Sequence, residues 1–85
     1  MNNNVILNSD EFEITARFHD GTNVHIYKNG GGTFGQTYTG QNWTYRVEDT
    51  TGNVIGEGDD LYMGSPATHL DAANAAHDFL VPDEF

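Results

Sequence analysis

The stretch Glu57-Gly58-Asp59-Asp60-Leu61-Tyr62 places three carboxylates within four residues. Carboxylates at such spacing can pair as acid and base, hold a hard cation, or face a positive partner. Asp59 and Asp60 are adjacent, so in an extended chain they point to opposite faces, a poor arrangement for sharing a proton or a water. Glu57 and Asp59 share a face, as a general acid–base pair requires. Nothing in the sequence marks a pocket beside them.

Asp49 to Asp60 has the length of a calcium loop, with Asp at its first position and Asn53 at its fifth. Its sixth position is Val54, where the sharp turn needs glycine, and its twelfth is Asp60 in place of a bidentate glutamate. The same residues read better as a β-hairpin. His19, His25, His69 and His77 offer no pair four apart on a helix, and there is no cysteine to complete a zinc site. His69 and His77 fall on the apolar side of a helical wheel and read as packed structural residues. Gly64-Ser65-Pro66 lacks the pattern of a nucleophile elbow. Gly30-Gly31-Gly32 lies between strands instead of leading into a helix, so it reads as a hairpin tip and not a phosphate cradle. These readings predict no enzyme activity, no metal and no cofactor.

Charge narrows the partner. The chain of 85 residues has a formal net charge of -10 and no cysteine. Residues 48–85 hold Glu48, Asp49, Glu57, Asp59, Asp60, Asp71, Asp78, Asp83 and Glu84 with no base at all. Such a field repels nucleic acid and anionic membranes and steers basic partners. Three bases in 85 residues cannot supply the phosphate contacts that direct nucleic-acid binding needs. The N-terminus does not resemble a signal peptide, and no apolar run approaches the roughly 18 residues of a membrane span. The expectation is a cytoplasmic protein whose nine acids form a docking surface for a basic protein, including one whose groove otherwise holds DNA or RNA. The oligomeric state is not legible. The alternative is an interaction module that docks through its sheet, with charge serving solubility.

The elements that would carry these residues form one domain, 1–85. Turn signals at Asp20-Gly21, Asn29 to Gly32, Thr39 to Asn42, Thr51-Gly52-Asn53 and Gly56 to Gly58 separate runs rich in Thr, Val, Ile, Tyr and Phe. Residues 1–9 read as a polar, frayed tail. Glu11 to His19 alternates, with Phe12, Ile14, Ala16 and Phe18 on one face. A three-residue loop with Gly21 in the left-handed conformation pairs Ala16 with Val24 and Ile14 with Ile26. Thr33 to Tyr38 is a weaker third strand, interrupted by Gly35. Asn42 to Asp49 turns the face of Trp43, Tyr45 and Val47 inward. Asn53 to Glu57 returns beside it, with the choice between Val54 and Ile55 as the inward residue left open, and EGDDLY then forms the junction to a helix.

Ser65 as cap and Pro66 at the first position start a helix over about 66–80, which Pro82 stops. Its apolar arc is Leu70, Ala72, Ala73, Ala76, Phe79 and Leu80, opposite a stripe of Asp71, Asn74 and Asp78. Leu70, Ala73, Ala76 and Leu80 are expected to bury against Phe12, Ile14, Phe18 and Tyr45 or Val47. The fold class is α+β: an antiparallel meander of four to five strands with one C-terminal helix on its apolar face. The other face is polar and offers Glu13, Thr15, Arg17, His25, Tyr27, Thr44 and Arg46.

In size, acidity, lack of cysteine and sheet-plus-helix layout, the chain resembles the small phage-encoded inhibitors of bacterial defence, the anti-CRISPR and anti-restriction proteins. That resemblance implies a nucleic-acid mimic or groove blocker acting in the host cytoplasm. It is one of class and carries over no functional residues. The segment from Trp43 to Gly58, followed by an alanine-rich helix, is also similar to the sheet-and-helix part of HicB-type antitoxins, without the DNA-binding part such antitoxins carry.

Overall fold

The computed structural model describes residues 4–9 and 13–81. Five strands, β1 (Asn4–Ser9), β2 (Glu13–Phe18), β3 (Asn23–Lys28), β4 (Gln41–Glu48) and β5 (Val54–Met63), precede one helix, α1 (His69–Leu80). The strands are antiparallel and lie side by side in sequence order, a simple meander. α1 lies across β2 to β5 on one face. The α+β architecture is the one the periodicity predicts.

The β2–β3 hairpin follows the expected register. Ile14 pairs with Ile26 and Ala16 with Val24. Phe18 N donates to Thr22 O at 2.8 Å, and Gly21 N donates to Phe18 O at 2.9 Å. Gly21 has φ +89°, the left-handed conformation that closes such a loop.

Other boundaries differ from expectation. Within the expected N-terminal tail, Asn4–Ser9 is a strand paired with β2, with a bulge between Ile6 and Asn8. Its apolar run, Val5-Ile6-Leu7, is too short to show a period, and the free edge of β2 recruits it. Thr33 to Tyr38 is not a strand; only Tyr38 makes a bridge, to Ala67. Gly35, at φ +97°, breaks the extension. β5 continues past Glu57 to Met63, so EGDDLY is strand and not junction. Its glycines and aspartates are poor strand formers, and β4 holds them by pairing on either side of a bulge, Tyr45 with Gly58 and Trp43 with Leu61. A second bulge next to Val47 settles the Val54/Ile55 question: both are exposed.

The helix begins three residues later than expected. Tyr38 and Ala67 exchange two backbone hydrogen bonds of 2.8 Å, which hold Ala67 extended and exclude a helix from Pro66. Thr68 is the cap instead of Ser65. Asp71 N donates to Thr68 Oγ1 at 3.1 Å, and Thr68 N donates to Asp71 Oδ2 at 3.0 Å, a reciprocal capping box. Pro82 lies outside the described residues.

The core joins Ile14, Ala16, Phe18, Val24, Ile26, Trp43 and Val47 to Ala72, Ala73 and Ala76 of the helix. Tyr45 packs against it part-buried, and Phe12 lies outside the described residues. Alanines let the helix approach a sheet that already carries Trp43 and Phe18. The expected helix face needs correction. Leu70 and Leu80 are only half-buried, and Phe79 is exposed, while His69 and His77 are buried. His77 stacks on Phe18 at 4.0 Å between ring centroids, and His69 meets Trp43 edge to face at 4.9 Å. His77 Nε2 donates to Asp20 Oδ2 at 2.9 Å, tying the helix to the β2–β3 turn.

Candidate functional site

The helix-free face of the sheet is polar, as the alternation of β2, β3 and β4 requires. His25 lies opposite Thr15 on one side and Arg46 on the other, and Arg46 lies opposite Glu57. His25 Nε2 donates to Glu48 Oε1 at 3.2 Å, which leaves Nδ1 to accept from the Thr15 hydroxyl at 2.9 Å. Arg46 Nε donates to Glu48 Oε2 at 3.1 Å. Hydroxyl, imidazole and carboxylate in a row resemble an acyl-transfer triad. A triad also needs amide donors free to hold an oxyanion. Here β2 and β3 are interior strands paired on both sides, so their amides are engaged in the ladder. The row acts as a cross-strand polar ladder.

Beside it lies a shallow cavity of about 300 Å³ lined by Glu13, His25, Tyr27, Thr44, Tyr45, Arg46, Glu57, Gly58 and Asp59. Asn29 ties two of its lining residues together. Its side-chain amide donates to Asp59 O at 2.8 Å, and its carbonyl accepts from the Thr44 hydroxyl. One asparagine thereby pins the β5 bulge to β4. A second hollow, about 260 Å³, is formed by Tyr45, Asp60, Leu61, Tyr62 and Phe79. Asp59 lines the first hollow and Asp60 the second, in keeping with the opposite directions expected for adjacent strand residues.

The nine acids expected on a docking surface divide by what they do. Glu48 is paired with His25 and Arg46. Asp49 builds the β4–β5 turn: its Oδ1 accepts from Thr51 N at 2.9 Å, the Thr51 hydroxyl at 2.7 Å and Asn53 N at 3.0 Å. These bonds, that of the Thr51 hydroxyl foremost, hold its carboxyl below the usual range. Asp71 serves the capping box, and Asp78 sits on the exposed side of α1, its Oδ1 3.4 Å from His77 Nδ1. Asp83 and Glu84 lie outside the described residues. Glu57, Asp59 and Asp60 remain, all exposed on β5, and their carboxylates have no ion pair or hydrogen bond among the described residues.

The calcium-loop comparison fails on geometry. Asp49 is held in the turn, and Asp60 lies six strand residues beyond Val54, roughly 20 Å along a rigid hairpin. No group of three or more His, Asp or Glu is placed to hold a metal among the described residues. The histidines are dispersed: His25 lies on the open face, while His69 and His77 lie beneath the helix.

The three bases, like most of the described acids, already have partners within the fold. Lys28 is buried; its Nζ donates to Asn29 O at 3.1 Å and Gly31 O at 3.3 Å and lies 4.7 Å from the Tyr38 ring centroid. Arg17 Nε donates to Asn23 Oδ1 at 3.1 Å, and Arg46 serves Glu48. Arg46 lies across the strand pair from Glu57, but among the described residues no cation is in ion-pair contact with the β5 acids.

Sequence reasoning missed the aromatic neighbours of these acids. Tyr62 is 62% exposed and Phe79 72% exposed. Helical periodicity placed Phe79 on the apolar arc; in the fold it flanks β5. No helix among the described residues is long and apolar enough to cross a membrane. No family model, curated protein or solved structure matches the chain, so its function must be read from its own geometry.

Proposed function

We propose that the protein is a non-enzymatic inhibitor that binds the basic surface of another protein through β5. The observation that carries this reading is the division of the acids. Glu48, Asp49 and Asp71 have structural work, whereas Glu57, Asp59 and Asp60 have no partner among the described residues. Glu57 and Asp59, exposed beside one another at the same hollow, repel, and that cost is recovered when cations meet them. A protein groove that holds DNA or RNA is such a surface, which is the anti-defence reading of the composition.

Capture from a bacterial lysate tests this. The native protein should retain a basic protein at low salt and release it as salt rises, because screening shortens the Debye length from about 10 Å at 0.1 M. DNA or RNA should compete for that protein. The combined variant Glu57→Gln, Asp59→Asn, Asp60→Asn should retain much less of it. Equal capture by both proteins, insensitive to salt and nucleic acid, overturns the reading. It would favour instead a docking module centred on Tyr62 and Phe79, whose exposure is the observation behind that alternative.

A further inference from the structure

β5 is the last strand of the sheet, and among the described residues it pairs only with β4. Its outer edge therefore presents backbone donors and acceptors along a ten-residue strand, interrupted at the bulge where Asp59 O accepts from Asn29. Edges of this kind are commonly guarded by charged side chains, lysine above all, by proline, by bulges or by being short. β5 has neither lysine nor proline and is the longest strand of the sheet; what guards it is its acids and the two bulges in its pairing with β4. Its character changes from face to face. Glu57 and Asp59 line the hollow on the open side. Asp60, Leu61, Tyr62 and Phe79 line the second hollow. Consecutive residues such as Leu61 and Tyr62 point to opposite faces of a strand, so a hollow touched by both wraps its rim.

We infer that the outer edge of β5 takes up an extended segment of a basic partner protein as a sixth strand. This deepens the function proposed above and rests on it. Backbone hydrogen bonds to β5 supply the pairing, and alternate side chains supply the selection. Lysine or arginine at every second position meets Glu57 and Asp59 on the open side. An aromatic or long aliphatic residue enters the hollow of Leu61, Tyr62 and Phe79, beside Asp60. Charge decides against a second copy of this chain as the occupant. Antiparallel β5–β5 pairing about Gly58, near its middle, would set Glu57 of each copy against Asp59 of the other, and like charges across a strand pair destabilise it. The acids thus refuse self-pairing at an edge that stays open to a basic strand.

The test uses three synthetic ten-residue peptides and the full chain. The first alternates lysine with valine and carries one central phenylalanine. The second has the same side chains with every second backbone nitrogen methylated on its pairing edge. The third replaces lysine by glutamate. Binding is read by anisotropy at low and high salt, and amide hydrogen exchange is read along residues 54–63. The first peptide should bind and slow exchange at alternate β5 amides. The methylated peptide should bind at least about tenfold more weakly, because it loses the strand hydrogen bonds at unchanged charge. The glutamate peptide should not bind. If the first two bind alike and only salt matters, the acidic docking surface stands and strand addition is overturned. If neither binds, both readings fall. If β5 amides are already protected in a dimer without peptide, a second copy holds the edge and the inference is overturned.

Discussion

Gly56 offers the sharpest test of how α1 seats on β5. A Cβ built at this position meets Leu80 Cδ2 at 2.8 Å and Leu80 Cγ at 3.2 Å, with Leu80 Cδ1 closer still. Gly56→Ala therefore brings two opposed effects. Alanine is the better strand residue by about 0.5–1 kcal/mol, through lower unfolded-state entropy. Overpacking costs about 1–3 kcal/mol. Leu80 is half-buried and can pivot, which puts the clash in the lower half of that range. The net is a loss of about 1 kcal/mol, equivalent to about 4–8 °C in Tm for a domain of this size. Leu80→Ala removes the opposing methyls. In that background Gly56→Ala should raise Tm, because only the strand benefit remains. The assay is a double-mutant cycle by thermal and urea unfolding, followed by circular dichroism. Reversal of sign between the two backgrounds is expected. If Gly56→Ala lowers stability equally with and without the Leu80 side chain, Leu80 does not seat on Gly56 and the helix position is wrong.

Three further outcomes follow from the contacts. Asp20 is held at a pKa of about 2, against 3.8: burial opposes its charge, but hydrogen bonds from Thr22 and His77 outweigh burial. Its depressed value means that its stabilisation is complete above about pH 4 and is lost as pH falls towards 2, so acid unfolding of Asp20→Asn should be less steep across that window. Thr68→Ala should cost about 1 kcal/mol in urea unfolding and Thr68→Ser nearly nothing, since serine keeps the capping oxygen; an unchanged midpoint for alanine would refute the capping box. The combined neutralisation of Glu57, Asp59 and Asp60 should leave Tm unchanged or slightly raised, within about 0.5 kcal/mol, and a marked loss would show that these acids serve the fold.

Where a residue's own preference and its neighbours agree, the sequence is legible. β2, β3 and their turn follow from alternation and one glycine, down to the pairing of Ile14 with Ile26. β1 and the second half of β5 were not legible, because their residues are extended by a paired strand and not by their own preference. The helix start was misplaced for a related reason. Ser65-Pro66 is a good local signal, but the bridge between Tyr38 and Ala67 overrides it from 29 residues away. The candidate site was legible as composition and only partly as geometry. Nine acids could be named; that Glu48, Asp49 and Asp71 are structural depends on partners such as His25, Thr51 and Thr68, which no spacing rule connects. Phe79 escaped because a wheel gives its azimuth and not where the sheet ends.

The meander also bears on the order in which the chain assembles. Each strand pairs with its neighbour in sequence, so every hairpin closes a short or moderate loop. The helix alone must travel back across the sheet. Its contact from His77 to Asp20 joins residues 57 apart, reaching from α1 to the β2–β3 hairpin. Loop-closure entropy favours closing that span last, after the strands that fix Asp20 and place Phe18 against the imidazole. Until then the sheet has Trp43, Phe18 and Ile26 bare on one side. A chain still being synthesised passes through this stage by necessity, because α1 leaves the ribosome after all five strands.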